Sequence, residues 1–241
     1  MRAILWFALV GMCSSGVSAQ SFSSSNLQVL GGTGFDDRVT GASTASRNLL
    51  TLSAERLDVR PWGDSFGFVD LNLGPLRDFG GARRRHAYQW YGEWQPRLSL
   101  GHLGAWQRSD TAAIRDVFLA AQINLADSGY QALLLGVGMD LRIAGVDALG
   151  FNLYARDDNF NSPTAQLTTF WLAPLGSAGS AWLTEGFLDL AGTDSDGTDV
   201  IFQPRVLRRL GAHWQAGIEW YYHHNDSVST SAPQLMLKWL P

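Results

Sequence analysis

The chain of 241 residues holds one cysteine, Cys13, and one lysine, Lys238. A lone cysteine excludes an internal disulfide and a thiolate metal site, so stability has to come from elsewhere. Beyond the N-terminus no apolar run approaches the roughly 18 residues that read as a membrane-crossing helix, which excludes a multi-span helical membrane protein. Positive charge is short too: 18 arginines and lysines stand against 22 acids, and a formal net charge of -4 gives no reason to expect a nucleic acid partner. Heptads, hinges and linkers are missing. A mean hydropathy of -0.05 leaves one membrane class open, the β-barrel, in which lipid-facing and lumen-facing residues alternate and cancel.

The N-terminus reads as a secretory signal: Met1 and Arg2, an apolar stretch from Ala3 to Met12, and small residues at Val17-Ser18-Ala19. Cleavage after residue 19 removes Cys13 and leaves residues 20–241 as one domain. Met12 precedes the cysteine where a lipoprotein signal needs a small residue, so lipidation is not expected.

The mature chain repeats a unit of about ten residues with apolar side chains on alternate positions. In Gln131 to Ile143, Leu133, Leu135, Val137, Met139, Leu141 and Ile143 share one parity, and Ala132, Leu134, Gly136, Gly138, Asp140 and Arg142 fall on the other. Near the C-terminus Trp214, Ile218, Trp220 and Tyr222 alternate with Gln215, Glu219, Tyr221 and His223. Twelve such units are found: Asn26 to Gly31, Asn48 to Val59, Ser65 to Leu73, Tyr88 to Leu100, Ile114 to Asn124, Gln131 to Ile143, Ala148 to Arg156, Ala165 to Ala173, Ala181 to Ala191, Val200 to Leu207, Trp214 to His224 and Pro233 to Leu240. Twelve is even, as a single-chain bacterial barrel requires, and the expected fold is all-β: one 12-stranded antiparallel transmembrane barrel of the outer-membrane type.

If the first strand starts from the periplasm, the odd connections lie outside and are polar, and Gly101 to Ala113 is a long inner connection expected to hold a small periplasmic helix. Arg83-Arg84-Arg85 falls in an outer loop, where it would meet anionic lipopolysaccharide. Trp62, Trp90, Trp94, Trp171, Trp182, Trp214, Trp220 and Trp239 sit near strand ends or on the apolar parity, as interfacial anchors do. Core packing in a soluble sandwich is the competing reading of these tryptophans.

The stretch Leu50 to Leu73 (LTLSAERLDVRPWGDSFGFVDLNL) resembles the second and third strands of the nucleoside-specific channel-forming outer membrane proteins, the Tsx-like family. Thr51, Glu55, Trp62, Gly63, Asp64, Phe66, Phe68, Val69 and Asp70 carry the likeness, with weaker support from Tyr91-Gly92-Glu93-Trp94, Pro96 to Ser99, Leu27 to Phe35 and Pro233 to Trp239. The resemblance implies a monomeric nucleoside channel in the outer membrane of a Gram-negative bacterium, surrounded by lipid and lipopolysaccharide and inserted by the barrel-assembly machinery. It departs from such barrels at the C-terminus, Leu240-Pro241, where many end in phenylalanine.

With the polar parity inward, Glu55, Phe66, Phe68, Asp70, Glu93, Arg97, Arg142, Glu185, Arg205, Glu219 and Tyr221 line the channel. Inward Phe66, Phe68 and Tyr221 would stack on bases at about 1–3 kcal/mol each, while Glu55, Asp70 or Arg97 bind sugar hydroxyls and base edges. The same acids and arginines, with Asp140 among them, are equally suited to structural ion pairs across the lumen. Asp64, next to Gly63, reads as a turn residue. No cofactor, metal or catalytic motif is required. Two alternatives remain: a barrel-embedded lipid hydrolase using His223, His224, Asp226 and Ser227, and a structural barrel without transport, which a dense ion-paired plug would favour.

Overall fold

A computed structural model of the chain describes residues 21–37, 47–74, 76, 87–107, 111–177 and 179–241. The signal segment and Arg83 to Arg85 lie outside the described residues. Twelve strands follow one another: β1 (Phe22–Thr33), β2 (Asn48–Arg60), β3 (Gly63–Leu73), β4 (Tyr88–Ser99), β5 (Ile114–Ala126), β6 (Gln131–Leu141), β7 (Ala148–Asp158), β8 (Thr164–Pro174), β9 (Trp182–Gly192), β10 (Thr198–Arg209), β11 (Trp214–His224) and β12 (Ser229–Trp239). Each pairs antiparallel with the next, and β12 returns to β1, Leu27 opposite Trp239 and Gly32 opposite Gln234, so the barrel is closed. Strands of 11 to 13 residues suffice for a tilted bilayer crossing.

Alternation decides which face each residue takes. On β12, Thr230, Ala232, Gln234, Met236 and Lys238 are buried, while Ser229, Ser231, Pro233, Leu235, Leu237 and Trp239 are exposed. Leu133, Leu135 and Val137 project outward beside Leu119, Leu153, Ile218 and Leu235. Outside is apolar and inside is polar, the reverse of a water-soluble protein; such an apolar belt needs lipid to cover it. The sandwich reading of the tryptophans fails for this reason. Trp62, Trp182, Trp214 and Trp239 are exposed at the end where β1 starts and β12 finishes, here the near end, and the Trp214 and Trp239 rings lie 6.4 Å apart.

Strand ends extend beyond the alternating segments. The far-end connections after β5, β7, β9 and β11 shrink to four or five residues, so the contrast between short inner turns and long outer loops rests on the connections after β1 and β3. At the near end, residues 100–106 form hydrogen-bonded turns and no helix forms among the described residues. There Asp116 accepts the Ser99 hydroxyl at 2.6 Å and the Gly101 amide at 3.2 Å, so a carboxylate shapes the connection in place of the expected helix. Between β2 and β3 only Pro61 and Trp62 intervene. Gly63 follows with φ of 148°, and a Cβ there would lie 2.0 Å from the Arg97 carbonyl oxygen, which accounts for glycine after the tryptophan.

Candidate functional site

The lumen is filled by side chains at several levels, and strand alternation brings nearly all of the expected residues into it. Nearest the middle is an apolar cluster of Leu57, Phe66, Phe68, Tyr91, Phe170, Phe187 and Ile201. Phe170 fits because its cross-strand partner is Gly150: a Cβ on Gly150 would stand 2.1 Å from the Phe170 ring. Phe66 and Phe68 lie 6.2 Å apart between centroids, and Phe68 lies 5.9 Å from Tyr91. Tyr91 in turn stacks on Tyr130 at 6.4 Å, and Tyr130 on Phe160 at 5.8 Å with rings 12° apart. Phe160 is exposed in the far-end connection after β7, so five rings run without a break from the mouth to mid-lumen.

Polar groups flank this ladder. The Glu93 carboxylate accepts the Tyr91 hydroxyl at 2.5 Å, Gln95 at 2.7 Å and Gln122 at 3.0 Å, all neutral donors. Arg156 donates to the Tyr130 hydroxyl at 2.9 Å, to Asp158 at 2.9 Å and to Gln166 at 2.9 Å. Burial pushes the Tyr130 hydroxyl well above its ordinary value, so it stays neutral while it accepts from Arg156. The Tyr154 hydroxyl, Gln122 Oε1 and Asp189 Oδ2 are buried with no protein partner. Asp70, opposite Ser53 and Tyr91, is buried on the same wall.

Two ion networks occupy the rest. Arg205 reaches Glu219 at 2.5 Å, Glu55 at 3.1 Å and Glu185 at 3.4 Å, and Lys238 also pairs with Glu185. Five strands contribute to this knot, β2 and β9 to β12. Arg97 makes a bidentate pair with Asp64, both contacts at 2.9 Å, and reaches Asp140 at 2.9 Å, with its guanidinium 4.1 Å over the Phe118 ring. Asp64 is therefore a buried lumen ion partner and not the turn residue that its neighbour Gly63 suggested. Arg142 lies just past β6 at the near-end rim, its amide bonded to the Ala113 carbonyl at 2.7 Å. The twelve-strand boundaries had placed it within the strand; β6 stops at Leu141.

Tyr221 is separated from Phe66 and Phe68. It packs at 5.5 Å on Phe35, from the connection after β1, in a cluster with Leu49, Leu76 and Ala232 at the far mouth, and its hydroxyl donates to Asp37. His223 has Asp37 at Nδ1 (2.5 Å) and Asp199 at Nε2 (2.6 Å). The Ser227 hydroxyl donates to Asp196 at 2.5 Å, so the serine and histidine that a hydrolase would pair face different carboxylates. Among the described residues, eleven carboxyl side chains are buried against four buried arginines and lysines, Arg97, Arg156, Arg205 and Lys238, with His223 besides.

Phe187 takes the inward face that its parity assigns; Tyr91 and Phe170 have the inward parity of their strands too, so alternation alone could have placed them in the site. Asp37 and Phe160 lie in connections, where no periodic signal exists.

No protein-family model matches the sequence, and no curated protein matches it. Among solved structures the chain is similar to a KdgM porin and to a KdgM porin in complex with disordered oligogalacturonate. The identities are 6% and 5%; the alignments cover 90% and 89% of this chain and 98% of the porin in each case, both at a TM-score of 0.52. The fold, a closed barrel of twelve antiparallel strands, is the one these porins have. At such identity the likeness speaks for the architecture alone.

Proposed function

We propose that the barrel is an outer-membrane channel of a Gram-negative bacterium through which small ring-bearing solutes, nucleosides above all, diffuse passively. The five-ring ladder from Phe160 to Phe66 carries this reading. Flat bases can move from one ring to the next at about 1–3 kcal/mol per stack, weak enough to let go. Beside it, Glu93, Gln122 and Tyr154 offer acceptors and a hydroxyl to ribose and base edges. The surplus of buried carboxyl groups disfavours polyanions such as the oligogalacturonate held by the neighbouring porin, and suits neutral solutes. Tight packing of the lumen implies small conductance, with side chains that must shift as a solute passes.

The same packing favours a second reading, a structural barrel whose ion knots close the lumen. Single-channel recording in planar bilayers separates the two. The channel reading expects small steps that millimolar adenosine or thymidine partly blocks and galacturonate oligomers do not. Absence of any step, or block by the oligomers alone, would overturn it.

A further inference from the structure

The outer face of β1 to β4 departs from the apolar belt. Arg56, Asp58 and Arg60 occupy successive outward positions on β2, with Ser23 and Ser25 beside them on β1 and Ser65 on β3. Arg56 grips Asp58 through Nε (2.7 Å) and Nη2 (2.8 Å) and donates to Ser25 at 3.2 Å. Arg60 donates to Asp58 at 3.2 Å and to Ser23 at 3.3 Å. Two guanidinium groups share one carboxylate, so the cluster keeps a charge of +1, and the Arg56 side chain is 59% exposed despite its bonds. Charge on a lipid-facing strand is costly at the midplane and nearly free at the interface. The arginines lie toward the Pro61-Trp62 turn, beyond Ala54, which stands level with Leu27 and so with Trp239 of the near-end girdle.

A groove of about 590 Å³ starts at Arg56 and Asp58, with Arg60 just outside it on Asp58, and runs along the outer wall. Its floor is low because Ala54 and Gly67 are small, and Trp94 and Trp239 stand at its sides, the Trp94 indole fixed by a 2.8 Å bond to the Ser65 hydroxyl. On the bilayer side of the arginines the walls are Leu27 and Val69. The groove is thus cationic at headgroup depth and apolar at chain depth, the polarity of one upright phospholipid.

We propose that this groove holds a glycerophospholipid of the near-end leaflet, its phosphate on Arg56 with Arg60 adding charge from the groove's edge, and an acyl chain along Ala54, Gly67 and Val69. Guanidinium groups suit phosphate through paired N–H donors, and Asp58 aligns them while cancelling only one of the two charges. Arg56, Arg60, Ala54 and Val69 take the outward parity of their strands, so the lipid site does not depend on the channel reading.

Native mass spectrometry of the detergent-purified barrel, with phosphatidylglycerol titrated in, tests the assignment. One lipid is expected to stay bound at ratios where uncharged diacylglycerol does not. At about 1 kcal/mol per arginine near a membrane surface, Arg56→Ser with Arg60→Ser should weaken retention at least tenfold or so. Ala54→Phe, which fills the floor but keeps the charges, should also displace the lipid, and Asp58→Asn should tighten it. Folding of each variant is checked by the gel shift between unheated and heated samples. Equal retention by the folded double arginine variant, or equal retention of diacylglycerol, would overturn the proposal. So would a dimer that Ala54→Phe abolishes, which would make the groove a contact between two copies.

Discussion

Asp37, carried on the connection after β1, puts its carboxylate 2.5 Å from Nδ1 of His223 on β11, across the far mouth of the barrel. The same carboxylate accepts the Tyr221 hydroxyl, and Phe35 packs on the Tyr221 ring, so this connection is fastened inward over the lumen by both polar and apolar contacts. Hydrogen bonds to charged groups contribute about 1.5–3 kcal/mol each. Asp37→Ala should release the connection and raise single-channel conductance while leaving the folded barrel intact on gels. Conductance equal to the unaltered protein would show that the mouth is not held by this contact.

The aromatic ladder predicts a graded effect. Tyr91→Ala interrupts it between Phe68 and Tyr130, and losing one stack of about 1–3 kcal/mol should weaken nucleoside block by roughly five- to a hundredfold. Phe66→Ala with Phe68→Ala should act in the same direction from the inner end. Concentration-dependent block by adenosine is the measurement, and unaltered block in both variants would exclude the rings as the path.

Arg205 is the cation on which Glu55, Glu185 and Glu219 converge. Arg205→Met leaves three buried carboxylates with Lys238 alone, and breaking such a network costs about 3–5 kcal/mol. The expected readout is a clear drop in the temperature at which the folded gel band converts to the unfolded one. A transition at the original temperature would mean that the knot is not a source of stability.

Buried carboxyl groups outnumber the lumen's arginines and lysine by eleven to four among the described residues. Ions crossing such a lumen should be selected for positive charge. The reversal potential in a potassium chloride gradient should therefore have the sign of cation preference. Anion preference would contradict the charge census.

Alternation made the barrel legible. A strand such as β12 tells inside from outside at every second residue, so Glu55, Phe66, Phe68, Asp70, Glu93, Arg97, Glu185, Arg205 and Glu219 all take the lumen face that their parity assigns. Parity carries no height, and height decides company: Tyr221 shares the face of Phe66 yet sits at the mouth, and Arg205 meets Glu55 across three intervening strands. Asp64 was misread because a Gly-Asp pair has the composition of a turn; the turn is in fact completed by Pro61 and Trp62, which frees Asp64 to point inward at Arg97. Asp37 and the connection after β4 obey no period, and their roles follow only from where the closed barrel puts their partners.

Pairing of β1 with β12 sets Leu27 against Trp239, residues from opposite ends of the chain. Contacts so far apart in sequence are slow to form, since the intervening loop must be closed before they stabilise anything. Until the last strand arrives, β1 and the newest strand each present an open edge ready to pair with any passing chain. The time between the appearance of Phe22 and the closing of the β1–β12 seam is therefore the interval in which this protein is most exposed to aggregation.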